Sequence, residues 1–282
     1  MKGITPDKYK ERNAEADLDD GSYTLIIPTY KRPIMLGRLL NFLFESKLEA
    51  PVIVLDSSPK KYADINSDLI RANDLNVKHV HFDPSIHPYQ KVRDGLKKID
   101  TEYFSMVADD DFVVVSTLRK LLSFMKDNSD YSAAHGFYVN FRDFDEFLQI
   151  SYIEQRDIAV IDNNPLERLN YAMAHYNVIF YAMQRRDVAI KAFSSVDKFE
   201  TTLCGELSTG ILTAIDGKVK RLDEFYIGRN TAESLSYSGW HPHQLLADSP
   251  QKLFKDYWKF RQVVLDALCT FEDTPHEQME DI

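Results

Sequence analysis

The chain has 282 residues, of which 44% are hydrophobic and 28% charged, and its formal net charge is −10. These values are typical of a soluble globular protein with one large domain or two small ones, and 10 glycines and 11 prolines are too few for a collagenous or low-complexity chain. The negative charge argues against bulk binding to nucleic acid or anionic lipid, because both need basic surfaces, but it allows a local basic pocket for a phosphorylated small molecule.

The cysteine content and the absence of long apolar runs predict the compartment. Cys204 and Cys269 are too few for a disulfide framework and, without a CxxC pair, for a structural zinc site. The first 20 residues are polar and charged, unlike a signal peptide, and no apolar run approaches the ~20 residues that cross a bilayer. We therefore expect a cytoplasmic protein without a membrane span.

Strands and helices alternate in the first half of the chain. Residues 1–20 are predicted to be a flexible N-terminal arm. The predicted strands that follow are residues 23–27, 52–55, 77–82 and 103–107, and the predicted helices begin near residue 33, span 63–72 and span 89–99. This repeat implies a parallel sheet with helices on both faces, and such sheets bind ligands at the carboxyl ends of their strands.

The second half of the chain has a mixed pattern. Helices are predicted at residues 117–125, 165–174, 187–193, 206–215 and 251–270, strands at 133–141, 178–183 and 219–227, and a strand-rich stretch at 146–161. Residues 230–243 are polar and aromatic and are predicted to form a mobile lid. No linker rich in Pro, Gly or Ser separates the halves, so we expect one compact domain.

Polar clusters follow three of the predicted strands. They are Pro28-Thr29-Tyr30, Asp56-Ser57-Ser58 and Asp109-Asp110-Asp111. Consecutive carboxylates raise one another's pKa, and a divalent cation such as Mg²⁺ or Mn²⁺ that bridges them to a diphosphate removes this penalty. The alternative is a solvated acidic loop that caps the next helix. A dinucleotide fingerprint and a Walker A loop are both absent, so a nucleotide would be held without a glycine-rich loop.

The ordered set of clusters resembles the family 2 glycosyltransferases of GT-A fold. The resemblance rests on residues 28–33 after the first strand, 56–58 after the second and 109–111 after the fourth, and it covers about residues 24–229. It implies an α/β domain with a Rossmann-like, mostly parallel sheet flanked by helices and a mixed second half. That domain would span residues 21–250, with a nucleotide-binding half at about 21–115 and an acceptor half at about 116–250, before a C-terminal helix and tail at 251–282.

The resemblance also implies which residues hold the donor. Those expected to bind the nucleotide are Pro28, Thr29, Tyr30, Arg32, Asp56, Lys91, Arg93, Asp109 and Asp110. Asp56 would accept a hydrogen bond from a uracil-type base, although Leu55 stands where the family usually has a second acidic residue. Arg32, Lys91 and Arg93 have an alternative interpretation as ordinary solvated charges.

The remaining implied roles concern the metal and the chemistry. Asp111 and Asp109 match the D-x-D pattern of the family and would bind Mn²⁺ or Mg²⁺, with His241 or His243 of the lid as a further ligand. Arg229 would neutralise the leaving diphosphate. Glu206, expected at the start of a helix whose dipole favours negative charge, would be the general base. Glu200 and Asp197 are the reserve candidates for the base.

The function implied is transfer of a sugar from a nucleotide-diphosphate donor, with UDP expected, to a hydroxyl of a glycan, a lipid-linked or a small-molecule acceptor, with inversion. One alternative is a catalytically inactive nucleotide- or carbohydrate-binding protein, which the departure at Leu55 favours. Another is a transferase that modifies a macromolecule such as DNA or protein, although the negative net charge makes nucleic acid an unfavourable partner.

Overall fold

The computed structural model describes residues 15–144, 147–153, 159–175, 178–231 and 242–271. The strands in this part of the chain are β1 (Tyr23–Thr29), β2 (Val52–Asp56), β3 (Val77–His81), β4 (Tyr103–Met106), β5 (Phe112–Val113), β6 (Tyr131–Phe144), β7 (Phe147–Ile153), β8 (Met183–Arg185) and β9 (Lys218–Asn230). The helices are α1 (Pro33–Glu45), α2 (Lys60–Arg71), α3 (Pro88–Leu96), α4 (Val115–Asp127), α5 (Pro165–Ala174), α6 (Arg186–Phe193), α7 (Thr202–Asp216), α8 (Pro242–Asp248) and α9 (Pro250–Leu268).

The strands form one mixed sheet in the order β3-β2-β1-β4-β8-β6-β9-β5, with β7 paired to β6. Strands β3, β2, β1 and β4 are parallel to one another. The sheet then changes direction, because β8 is antiparallel to both β4 and β6, whereas β6 and β9 are parallel. The predicted α/β class, with a mostly parallel first half and a mixed second half, is confirmed.

Strands β1, β2 and β4 of the parallel half are buried on both faces because most of their residues are apolar, whereas the edge strand β3 is only partly buried. Leu25 and Ile27 of β1 face the core that α1 and α4 cover, whereas Ile26 between them faces the core that α3 and α6 cover. The register of β1 and β2 places Thr29 beside Asp56, and β4 ends at the same edge. The polar clusters after β1, β2 and β4 therefore meet at one edge of the sheet.

One predicted strand differs from the structure, and one short strand was not predicted. In place of the strand predicted at residues 178–183, the structure has a short 3-10 turn, Ile179–Tyr181, and then β8, which begins at Met183; Ile179 is buried in a cluster with side chains of α5 and α7. The two-residue strand β5 was not predicted, since so short a segment carries no periodicity; it is defined by its antiparallel pairing with β9.

The ends of the described chain pack on the sheet domain. Leu18, in the segment predicted as a flexible arm, is fully buried in the main core, and Asp20 pairs with Lys126 of α4; residues 1–14 lie outside the described residues. Helix α9 buries Val264 and Leu268 against α5 and α7. Within the described ranges, no helix has both the length and the apolar character that crossing a membrane requires.

Candidate active site

The three consecutive aspartates lie between β4 and β5 and are buried. Asp109, Asp110 and Asp111 are 3%, 5% and 4% exposed. The Asp111 amide donates to the carbonyl of Ala108 at 3.1 Å, which folds the segment into a tight turn. The alternative of a solvated acidic loop does not describe these side chains.

Contacts from two neighbouring turns hold the acidic cluster. Thr29 Oγ1 donates to Asp109 Oδ2 at 2.7 Å. Arg32 Nη1 lies 3.2 Å from Asp109 Oδ1 and 3.3 Å from Asp110 Oδ2. The backbone amide of Asn230, at the end of β9, donates to Asp111 Oδ1 at 2.8 Å. The cluster is thus tied to the turn after β1 on one side and to the last residue of β9 on the other.

The buried negative charge shifts the pKa values of the cluster upwards. Burial raises the pKa of Asp109 to about 6, against hydrogen bonds from Thr29 and Arg32 that lower it. Burial and the adjacent charge of Asp110 raise the pKa of Asp111 to about 7. A carboxylate that is costly to ionise alone is stabilised in its charged form by a bound cation.

These residues fit a divalent cation that is shared with a substrate. In the described ranges, no group of three or more His, Cys, Asp or Glu side chains could by itself hold a metal ion. Mg²⁺ is usually bound through one or two carboxylates together with substrate phosphates. Asp111 and Asp109 can supply one or two carboxylate oxygens, so the donor set suits a cation carried by a diphosphate. Of the two histidine candidates, His243 lies exposed on α8, and His241 lies outside the described residues.

Arg38 of α1 contacts the acidic turn, although no sequence pattern marks it as a site residue. Its Nη2 donates to the carbonyl oxygen of Asp110 at 2.7 Å, its Nη1 donates to Asp143 Oδ2 at 2.5 Å, and the guanidinium lies 4.7 Å from the centre of the Phe112 ring. It therefore links α1, the acidic turn and β6. Residues 38, 110 and 143 are too far apart in sequence for any local pattern to reveal this.

Lys91 of α3 is buried beneath the site. Its Nζ donates to the carbonyl oxygen of Thr29 and to Ser57 Oγ, both at 2.9 Å, so it connects the turns after β1 and β2. Burial lowers its pKa to about 8, against the charges of Asp109 and Asp56, which raise it. The Lys91 ammonium therefore contacts backbone and side-chain groups of the protein. It also supplies positive charge near the buried carboxylates of Asp109 and Asp56.

Asp56, expected to bind the base, is fully buried, and its carboxylate contacts other groups of the protein. Its Oδ1 accepts from the Ser58 amide at 2.7 Å, and its Oδ2 accepts from Asn66 Nδ2 at 2.8 Å and lies 3.1 Å from His79 Nε2. Burial raises the pKa of Asp56, but the hydrogen bonds from His79, Asn66 and Ser58 outweigh burial and leave that pKa below its ordinary value. In this structure the carboxylate braces the turn after β2.

We expect Asp56→Asn to lower the free energy of unfolding by about 1–3 kcal/mol, because its amide would place a donor against the Ser58 amide or the Asn66 side chain. Since the folded pKa of Asp56 lies below its ordinary value of 3.8, its contribution is present above that pH and declines as the pH falls. Urea unfolding at pH 7 and pH 3 should show the gap to wild type narrowing at pH 3.

Asp64→Asn is the matched control, because Asp64 is an exposed residue of α2 that pairs only with Lys60 in the contacts described. An exposed pair of this kind contributes little to stability. Equal stability of Asp56→Asn and wild type at pH 7 would contradict the bracing role.

Arg93 and its neighbours form a separate ionic cluster. The Arg93 guanidinium pairs with Asp94 and with Asp197, and Asp197 also accepts from Gln90. Arg93 was expected near the nucleotide and Asp197 was a reserve general base. In the structure these two side chains are partners of each other.

Glu206 lies on α7, but the helix begins four residues earlier than predicted, so Glu206 is not at its start. The helix begins at Thr202, because the Thr201 hydroxyl accepts from the Cys204 amide and caps it. The buried Asp256 of α9 fixes this start by accepting from the Thr201 amide and hydroxyl. Glu206 is therefore the fifth residue of α7. The helix dipole acts most strongly in the first turn, and Glu206 lies beyond that turn. Its Oε2 accepts from Tyr89 Oη at 2.9 Å.

Arg229 and Tyr181 connect Glu206 with the acidic cluster. The Arg229 guanidinium lies 5.3 Å from the centre of the Tyr181 ring. Burial lowers the pKa of Arg229, but Tyr181, Asp111 and Glu206 raise it above its ordinary value. Burial raises the pKa of Tyr181, and the charges of Asp111 and Glu206 raise it further. The predicted base and the predicted metal ligand therefore act electrostatically on the same tyrosine and arginine.

The other predicted residues lie at the edges of this arrangement. Pro28 belongs to β1, and Tyr30 is 41% exposed in the turn that follows, with Lys31 Nζ 4.7 Å from the centre of its ring. Lys31 has a φ of 60°, and its amide donates to Ser58 Oγ at 2.8 Å, which joins this turn to the one after β2. Glu200, a reserve base, pairs with Lys255 of α9.

Comparisons with known proteins show the family and the fold of the chain. The family model described as "Glycosyl transferase family 2" matches residues 24–193. Among solved structures, residues 1–349 of TarS from S. aureus in complex with UDP-GlcNAc are similar, with a TM-score of 0.62 and 17% identity over 92% of this chain and 69% of that chain. The mannosyltransferase PcManGT from Pyrobaculum calidifontis, in complex with GDP-Man and Mn²⁺, has a TM-score of 0.53 and 14% identity over 91% of this chain and 75% of that chain. A search of curated proteins finds no match.

The structural similarity shows the fold, and the family model shows the family because it matches more than half of the chain. The matched residues include the turn after β1, the turn after β2 and the three buried aspartates after β4. The chain belongs to glycosyl transferase family 2 and is a glycosyltransferase that uses a nucleotide-sugar donor.

Proposed function

We propose that this glycosyltransferase is metal-dependent and inverting, and that it transfers a sugar from a UDP-sugar to a hydroxyl of a glycan, lipid-linked or small-molecule acceptor. The observation that carries the proposal is the buried acidic cluster at the carboxyl edge of the sheet, with the Arg229 guanidinium 5.3 Å from the centre of the nearby Tyr181 ring. A buried cluster of three carboxylates and an arginine is suited to a cation and the diphosphate that the cation carries.

The donor would lie across the carboxyl ends of β1, β2 and β4. Thr29 and the exposed Tyr30 would contact the base and ribose, and Arg32 would hold Asp109 and Asp110 in place. Asp111, with Asp109, would hold Mn²⁺ or Mg²⁺, which when bound stabilises negative charge on the leaving diphosphate. Arg229 would supply a second, fixed positive charge to the same diphosphate.

Glu206 would act as the general base. In the transfer step the acceptor hydroxyl oxygen forms a bond to the anomeric carbon of the sugar, and the bond from that carbon to the diphosphate oxygen breaks. The hydroxyl proton passes to the Glu206 carboxylate, and the diphosphate leaves with the bonding electron pair. Attack on the face opposite the leaving group inverts the configuration.

Similar proteins support the choice of ligands to be tested. TarS is similar in fold and is described in complex with UDP-GlcNAc, which makes UDP the first nucleotide to test. The mannosyltransferase is described with GDP-Man and Mn²⁺, which makes GDP the competing nucleotide and Mn²⁺ the first metal.

Calorimetric titration with UDP and with GDP, each with Mn²⁺ and with EDTA, tests the proposal. We expect UDP to bind in the presence of Mn²⁺ and binding to weaken strongly when EDTA removes the metal. Release of nucleoside diphosphate from a panel of nucleotide-sugars then measures turnover. Tighter binding of GDP would overturn the choice of donor, and binding that is insensitive to EDTA would overturn the metal dependence.

A further inference from the structure

Tyr89 links the nucleotide-binding half of the domain to the proposed general base. It belongs to α3, which lies in the parallel half, whereas Glu206 belongs to α7 in the second half. Tyr89 Oη donates to Glu206 Oε2 at 2.9 Å. This hydrogen bond joins residues 117 positions apart.

The Tyr89 ring is held in one place by its surroundings. Tyr89 is 5% exposed, and its ring packs edge-on against Phe180 with 5.1 Å between centres and lies 5.7 Å from the ring of His87. Residue 205 is glycine, and a Cβ there would lie 3.0 Å from Tyr89 Cδ2. The glycine beside Glu206 therefore lets the ring approach α7 closely enough for its hydroxyl to reach the carboxylate.

The hydrogen bond can orient Glu206 because the Tyr89 side chain has less conformational freedom than the Glu206 side chain. A glutamate on a helix can rotate about three side-chain bonds, whereas a tyrosine ring has two, and the Tyr89 ring packs against Phe180 and lies close to Gly205. A hydrogen bond from a fixed donor to an ionised carboxylate is stronger than one between neutral groups, so it restricts the carboxylate to the orientation the donor allows.

We propose that Tyr89 is a positioning residue that orients the Glu206 carboxylate towards the acceptor hydroxyl. The inference rests on the proposed function, because it needs Glu206 to act as the base. Tyr89 acts through Glu206, so its loss should affect the rate of the chemical step and not the affinity for the donor nucleotide.

Tyr89→Phe tests the inference, because it removes the hydroxyl and keeps the ring. We expect the kcat of transfer, or of donor hydrolysis, to fall by about 10- to 100-fold, the effect of one hydrogen bond to a charged group. The dissociation constant of UDP in the presence of Mn²⁺ and the melting temperature should remain near those of wild type. Tyr257→Phe, at an exposed position of α9, is the matched control and should leave kcat unchanged.

Glu206→Asp provides the second measurement, because the carboxylate is withdrawn by one methylene from the Tyr89 hydroxyl. If the two residues act together, adding Tyr89→Phe to Glu206→Asp should cause little further loss of kcat. A full and independent loss in the double variant would overturn the inference, and so would an unchanged kcat in Tyr89→Phe or a parallel loss of UDP binding.

The outcomes separate the inference from the proposed function. Wild-type protein that turns over no nucleotide-sugar overturns the proposed function and the inference with it. A Glu206→Gln variant as active as wild type overturns the choice of base. If the single variant Glu206→Gln is inactive but the single variant Tyr89→Phe is fully active, only the positioning role of Tyr89 is overturned.

Discussion

Glu206→Gln is expected to lower the kcat of sugar transfer by about 10²- to 10⁴-fold, while the dissociation constant of the donor nucleotide changes by less than about twofold. The glutamine side chain is nearly the same size and can still accept the hydrogen bond from Tyr89, but it cannot take a proton from the acceptor hydroxyl. Turnover is measured by released nucleoside diphosphate, and donor binding by calorimetry with Mn²⁺.

Glu200→Gln and Asp197→Asn are the matched controls for the choice of base. Glu200 pairs with Lys255, and Asp197 pairs with Arg93, so each carboxylate has a cationic partner in the structure. We expect both variants to keep most of the wild-type activity. If either variant loses turnover and Glu206→Gln keeps it, the base has been assigned to the wrong residue.

Asp111→Asn is expected to abolish the metal-dependent part of donor binding. Loss of a partner in the outer shell of a metal ligand costs about 10- to 100-fold in metal affinity, so we expect loss of a direct ligand to cost more than about 100-fold. The difference between titrations of UDP with Mn²⁺ and with EDTA, which measures this coupling, should vanish. Without metal, the variant should be at least as stable as wild type, because one of three buried like charges has been removed.

The control for this prediction is Asp64→Asn, at an exposed aspartate on α2. It changes the net charge by the same amount and should leave both the metal coupling and the melting temperature near wild-type values. An Asp111→Asn variant that keeps Mn²⁺-coupled UDP binding would contradict the role of Asp111 as a metal ligand. If metal-free Asp111→Asn were much less stable than metal-free wild type, the idea that the three aspartates repel one another would be contradicted.

Strands β1 and β2 were predictable because they are continuous apolar runs bounded by Gly, Pro and polar residues. The strand predicted at residues 23–27 is β1, extended to Thr29, and the one predicted at 52–55 is β2, extended to Asp56. Parallel strands place their carboxyl ends at one edge, so the meeting of Thr29 with Asp109 followed from the order of the elements.

The residues that position the site were harder to predict. Arg38 joins the acidic turn to β6, and Tyr89 joins α3 to Glu206, and no local pattern distinguishes either from an ordinary helix residue. Asp56 was predicted from its place after β2, yet its contacts with Asn66 and His79 give it a bracing role inside the protein.

The amino-acid sequence by itself determined the parallel half of the sheet and the edge at which its polar clusters gather, because hydrophobic periodicity and strand ends are local properties of the chain. The ordered polar clusters also carried the resemblance to family 2 glycosyltransferases. Only the tertiary structure decided that the three aspartates are buried, that Arg229 and Glu206 act on the same tyrosine, and that Tyr89 reaches the proposed base. Burial and electrostatic interaction depend on which distant segments pack together, and in this protein those segments come from opposite halves of the chain.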